Sequence, residues 1–316
     1  MDFVLVTGGA GFIGSHLVKE LTASGVRVRV LDDFSSPGST RLSDKVCNDV
    51  VVGSITDVDV CRRAAKGVDT IFHLAALVSV TESVDDPVRA DAINSGGTLN
   101  VLIAARDAGV RRVVHSSSAA VYGDTQVVPV HEGVPGNPTS PYGVQKLAGE
   151  LYASCFSSMY DLEAISLRYF NVYGAGQNPT APYAAVVPKF LTALAEGRRP
   201  IVYGDGEQTR DFCSVKDVVR ANLLAATTTR AGAVGEAYNI AGGHAISLNQ
   251  LLKIIANLTG VPIDPIYQAP RVGDIRHSSA NIAKARDFLG YEPTVTMVDG
   301  IQQALEYYTT GAVTAR

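Results

Sequence analysis

The stretch "TSPYGVQK" at 139–146 contains two residues that could move a proton. Tyr142 and Lys146 stand at i and i+4, so a helix would carry both on one face. Tyrosine is a poor base at its ordinary pKa of about 10. An ammonium beside it favours phenolate and lowers that value. A lone Y-x-x-x-K also recurs by chance, and two residues on a solvated helix face would look the same. A second stretch, "HSSSAAVYG" at 115–123, adds the hydroxyls of Ser116, Ser117 and Ser118. A serine at the end of a strand there could share a substrate proton with Tyr142.

A glycine loop gives these residues a setting. "TGGAGFIG" at 7–14 spaces Gly8, Gly11 and Gly14 as G-x-x-G-x-x-G, after an apolar run and before a helical pattern. A tight turn, a backbone that approaches a pyrophosphate and close helix–strand packing all require residues without Cβ. The N–H groups of Gly11, Phe12 and Ile13 then face the anion at the positive end of the helix. A plain turn is the alternative, but strand and helix flank this one in the right order. Asp32 follows about twenty residues later, where its carboxylate can accept both ribose hydroxyls and repel a 2′-phosphate. NAD is therefore expected over NADP, and its cationic nicotinamide would add to the pull of Lys146 on Tyr142. Asp33, Ser35, Ser36 and Gly38 are placed to wrap the adenosine ribose, and Ser54 and Ile55 lie near the adenine. Leu74, Ala75 and Ala76 either approach the pyrophosphate and nicotinamide ribose or pack a strand under a helix. His73 is read as a core histidine.

The elements that must position these groups follow from periodicity. Apolar runs at 3–6, 26–32, 70–76, 111–118 and 163–174 read as strands. Helical patterns separate them. Ile13, Leu17, Val18 and Leu21 share a face over 12–25, and one long helix is expected from Asp86–Pro87 to Gly109. Strand–helix alternation implies an α/β fold, a doubly wound parallel sheet of the Rossmann type. After about residue 171 the rhythm breaks into Gly, Pro, Asn and Tyr, with helical segments at 186–196, 216–228, 247–258 and 297–310. The expected division is a dinucleotide domain over 1–170, with 211–238 returning to it. A smaller mixed α/β substrate domain covers 171–210 and 239–316.

Composition excludes several classes. The 316 residues are 46% hydrophobic and 18% charged with net charge −4, and no Lys/Arg block suits nucleic acid. Cys47, Cys61, Cys155 and Cys213 show neither disulfide nor metal-ligand spacing. No secretory leader and no bilayer-length apolar run is seen, so a cytoplasmic protein without metal is expected.

The motifs together resemble a known family. "TGGAGFIG", "LDDFSS", "HLAA", "SSSAAVYG", "PYGVQK", "LRYFNVYG", "TRDFCSVKDV" and "RVGDIRHS" occur in the order found in extended short-chain dehydrogenases/reductases of the NAD-dependent sugar epimerase/dehydratase group. Within that group the chain is most similar to UDP-hexose 4-epimerases. The resemblance implies Tyr142 as base, Lys146 as its electrostatic and ribose partner, Ser118 on the sugar O4, and Ser117 as a second contact. It implies Asn94, Tyr169 and Phe170 around the nicotinamide, with Ser116 on the same edge. On the substrate side it implies Asn171, Arg210 and Arg271 at the diphosphate and Asp274 at the ribose. Ala185, Val186, Val187 and Tyr203 would surround uracil, and Ser278 would form the sugar-pocket wall.

The reaction can be narrowed further. Related dehydratases carry an Asp–Glu pair where this chain has Ala119 and Ala120, and neither alanine can move a proton. Hydride removal from C4 would then be undone on the other face, inverting that carbon. A small Ser278 leaves room for an N-acetyl group. Asn171 and Asn178 stand where glucuronate-directed relatives differ, which disfavours a carboxylated sugar. An NAD-dependent oxidoreductase or dehydratase is the alternative. A homodimer through helices 86–108 and 141–159 is expected by the same resemblance.

Overall fold

A computed structural model describes residues 1–36, 39, 46–179, 185–270 and 275–309. Its centre is a seven-stranded parallel sheet. In chain order the first six strands are β1 (Phe3–Thr7), β2 (Arg27–Asp32), β3 (Asp49–Val52), β4 (Thr70–His73), β5 (Arg112–Ser118) and β6 (Glu163–Tyr169). A seventh, Ala237–Ile240, pairs with β6. The spatial order places β1 between β2 and β4, so the strand order reverses there. A crevice at such a switch point is where open α/β sheets take ligands.

Alternation along the strands sends side chains to two cores. Val4 and Val6 meet Leu17, Val18 and Leu21 of helix α1 (Phe12–Ala23) on one face. Leu5, Leu31 and Ile71 meet Val60, Cys61, Val101 and Leu102 on the other. Each such side chain contributes about 1.5–3 kcal/mol on burial, so both faces must be covered. The buried face of α1 includes Gly14 where Ile13 was expected, and Ile13 is only half-buried, because the helix packs tightly over the glycine loop.

The long helix expected over 86–109 is broken. It runs as Pro87–Asp91, a π turn at Ala92–Gly96, and Gly97–Asp107. The π turn carries Asn94, whose amide clasps the backbone N–H and C=O of Leu77. Strand β3 was not expected, since "DVVV" alternates exposure at the sheet edge.

The second half is built from short pieces. Helix Val215–Thr227 and strand Ala237–Ile240 return to the main sheet, the helix packing on α1 and β5. Thr209–Asp211 lies between Ala245–Ser247 and His277–Ser278, which puts Ser278 opposite Arg210. A third core, including Phe190, Leu191, Leu251, Ile255 and Ile301, holds these elements together.

Candidate active site

The glycine loop follows β1 at the switch point. Gly8 has φ +69, and a Cβ there would lie 2.7 Å from the backbone N of Ala75. The loop therefore touches the Leu74–Ala76 segment that follows β4. A Cβ on Gly14 would come within 2.1 Å of the Gly8 carbonyl. Gly11 begins α1 without any side-chain cap, so the first N–H groups of the helix are left to meet an anion. Asp32 is buried at the end of β2. Its carboxylate accepts from the N–H of Ala10 at 2.9 Å and of Phe34 at 2.8 Å, and burial pushes its pKa up. It thus braces the loop through both backbone N–H groups. These features fit a dinucleotide. Asp33 accepts from Ser35 through N–H and hydroxyl, and Ser36 is exposed; Gly38 lies outside the described residues.

Replacing Asp32 by alanine should weaken NAD retention roughly 10–100-fold, from loss of charge-assisted hydrogen bonds worth about 1.5–3 kcal/mol. It should also relax discrimination against NADP. Comparing the NAD and NADP affinities of the purified variant checks both; an unchanged ratio would count against this role.

The groups expected to handle a proton meet at the ends of β5 and helix Pro141–Met159. Ser140 caps that helix and Pro141 occupies its first turn. Tyr142 and Lys146 are both buried on its face toward β5. The ammonium of Lys146 donates to the Ser116 carbonyl at 2.9 Å and lies 5.9 Å from the Tyr142 ring centre. Ser118 Oγ accepts from the N–H of Ala120 and lies near enough to the Tyr142 phenol to favour its ionised form. Burial lowers the pKa of Lys146 to about 8, partly opposed by Glu150. Burial raises that of Tyr142, partly opposed by Ser118. The expected depression of the Tyr142 pKa is thus not produced by the chain alone. Taking the phenolate out of water is the larger effect.

Other expected contacts are differently spent. Ser117 does not face the cleft; its hydroxyl donates to the Glu150 carboxylate. Strand alternation explains this, since Ser117 and His115 point together at helix Pro141–Met159. Asn94 gives its amide hydrogens to Leu77 and Gln145, which makes it a clasp for the loop after β4 instead of a direct contact. Ile55 is buried against Gly97 in the core, not laid on a ring at the surface. Tyr169 and Phe170 are buried at the end of β6, and the Tyr169 phenol is tied to Asn222. Ser54 holds Thr56 in a turn.

On the substrate side, Asn171 has φ +28, an uncommon value for a residue with a side chain. Its amide donates to the Asp211 carbonyl at 3.1 Å. Arg210 donates to the Thr209 carbonyl and is paired in register with Ser278. Tyr203 lines a cavity of about 440 Å³ with Gln208, Gln268 and Arg276. Ala185 caps helix Val186–Ala195, whose Val187 is buried in the third core. Arg271 and Asp274 lie outside the described residues.

The model of the NAD dependent epimerase/dehydratase family matches residues 4–241. The chain belongs to that family. It is 42% identical over 311 residues to a UDP-glucose 4-epimerase of Mycolicibacterium smegmatis, covering 96% of this chain and 97% of the relative. Among solved structures it resembles UDP-N-acetylglucosamine 4-epimerase from Methanobrevibacter ruminantium in complex with UDP-N-acetylmuramic acid. There the TM-score is 0.91 at 36% identity, covering 98% of both chains. It also resembles UDP-glucose 4-epimerase from Thermotoga maritima with UDP-glucose, at TM-score 0.90 and 37% identity, covering 98% and 99%.

Two residues of this epimerase/dehydratase chain escape sequence reading. Ser83, fully buried, accepts from the backbone N–H of Tyr142 at 3.1 Å and so holds the start of its helix. Glu150 pairs with Arg168 beneath the serine edge. Neither lies in a motif with local chemistry, because both act through partners distant in the chain.

Proposed function

We propose that the protein is an NAD-dependent UDP-hexose 4-epimerase. The observation that carries the reading is the pairing of Ser118 and Tyr142, beside Lys146, with Ala119 and Ala120 as the next two residues of the edge. Bound NAD would supply a reversible hydride acceptor for sugar C4. The chain supplies the proton path. Tyr142 takes the O4 proton as C4 becomes a ketone and returns it to O4 after the sugar has presented its other face. Ser118, oriented by the Ala120 N–H, hydrogen-bonds O4 throughout. Lys146 holds positive charge near the phenol and reaches the ribose. Ala119 and Ala120 cannot remove water, so the ketone has no onward route at this edge.

In this proposal residues 1–170 with 211–238 hold the dinucleotide, and 171–210 with 239–316 hold the nucleotide sugar. Asn171, Arg210, Arg271, Asp274 and Tyr203 take the nucleotide part. The helical stretches 86–108 and 141–159 leave Val88 79%, Leu151 64% and Met159 69% exposed. Exposed apolar side chains on these two stretches support a homodimer. The four cysteines are unpaired, as suits a reducing cytoplasm. No described helix is long and apolar enough to cross a membrane.

The small Ser278 beside Arg210 supports acceptance of N-acetylated sugars. UDP-Glc, UDP-Gal, UDP-GlcNAc and UDP-GalNAc should all be turned over, the N-acetyl pair within about 100-fold of the others in kcat/KM, the range one pocket substituent commands. Assaying the four side by side tests this. Turnover confined to UDP-Glc and UDP-Gal would remove the role given to Ser278.

A further inference from the structure

We propose that Glu150 is a positioning residue for the Tyr142–Lys146 pair, fixing the serine edge of β5 to the helix and placing a negative charge one turn from Lys146. The inference rests on the reading of that pair as the proton-handling site. Three successive residues of β5 each face one residue of the helix. The Ser116 carbonyl accepts from Lys146 and the Ser117 hydroxyl donates to Glu150, while the Ser118 hydroxyl lies near the Tyr142 phenol. Glu150 is the middle tie, and it is itself buried.

The tie is held from below. Arg168 of β6 grips both carboxylate oxygens, Nε to Oε1 at 2.8 Å and Nη2 to Oε2 at 2.6 Å. Its remaining nitrogen donates to the Tyr122 phenol at 2.7 Å, and that phenol donates to Asn239 at 2.7 Å. Asn239 in turn donates to the carbonyls of Val130 and Asn281. A buried, fully paired network of this kind fixes one arrangement of its members. It joins β5, β6, the strand Ala237–Ile240 and the helix directly under the site.

Charge follows from the same geometry. The groups near Lys146 are Tyr142 and Glu150 on its own helix, the latter bound to Arg168 of β6, and His73 and His115 on β4 and β5. Burial lowers both histidines, His73 to about 3, so they are neutral near neutral pH. Glu150 therefore supplies the negative charge that offsets the desolvation of the Lys146 ammonium. Removing that charge lowers the pKa of Lys146.

The test uses the NAD-loaded enzyme and UDP-galactose, reading kcat against pH for Glu150→Gln and Ser117→Ala, with Ser117→Thr as the conservative partner. Glu150→Gln should displace the limb of the profile set by Lys146 to lower pH by about one unit. Ser117→Ala keeps the ion pair and loses only the tie. It should lower kcat about ten-fold with KM little changed and the profile in place, and Ser117→Thr should restore kcat, because misplacement of a reacting group acts on the chemical step. A Glu150→Gln profile reduced in height but not displaced would overturn the proposal, as would full kcat in Ser117→Ala. If Glu150→Gln does not fold, the Ser117 pair decides alone. Failure of the wild type to invert C4 would sink the underlying epimerase reading instead, and is seen in the same assay.

Discussion

Tyr142→Phe should lower kcat for C4 inversion by about 10²–10⁴-fold, the usual loss when a general acid/base is removed. The protein should keep its fold and its NAD. The substitution deletes one hydroxyl near Ser118, and the ring stays buried. Lys146 keeps its bond to the Ser116 carbonyl, which does not depend on the phenol. KM for the UDP-sugar should change little, since the phenol acts on the proton in transit more than on the bound nucleotide. Steady-state kinetics with UDP-Gal and UDP-GalNAc, alongside NAD content, check this. Near-normal rates with both sugars would remove Tyr142 from the mechanism.

Gly14→Ala should abolish stable NAD retention. A Cβ at this position would lie 2.1 Å from the Gly8 carbonyl and 2.8 Å from the Gly9 Cα. Both obstacles are backbone, so no side chain can swing aside. Either α1 lifts off the loop or the loop moves toward the crevice. Such overpacking costs typically about 1–3 kcal/mol, and here the strain falls on the groups that would meet the pyrophosphate. The measurable results are loss of copurified NAD and a lowered melting temperature. Retention of NAD with unchanged melting would mean that the close approach of loop and helix is not needed for binding.

The parts of the site that were legible in the sequence are those whose chemistry is local. The glycine spacing at 8–14 encodes its own turn and helix start. Tyr142, Lys146 and the serine edge are short patterns on single elements. Asp32 follows from the length of one β–α–β step. What escaped was partnership. Whether Ser117 faces the cleft or Glu150 depends on which side of β5 meets the helix, and its spacing from Tyr142 leaves that open. Asn94 looked like a contact residue, but a π turn lets it clasp Leu77, and no helical periodicity announces a π turn. The break in the helix over 86–109 has the same origin. The return of 211–238 to the first sheet was expected, but its limit fell inside strand Ala237–Ile240, which pairs with β6 as far as Ile240. The pKa of Tyr142 ran opposite to expectation because the sequence shows the neighbouring charge but not the burial.

The most direct measurement is the fate of UDP-galactose followed by proton NMR with the wild-type, NAD-loaded enzyme, while NADH is monitored in the same sample. The account predicts approach to a mixture of UDP-galactose and UDP-glucose with no build-up of NADH. Accumulation of a keto sugar with matching NADH, or of a product that has lost water, would contradict it.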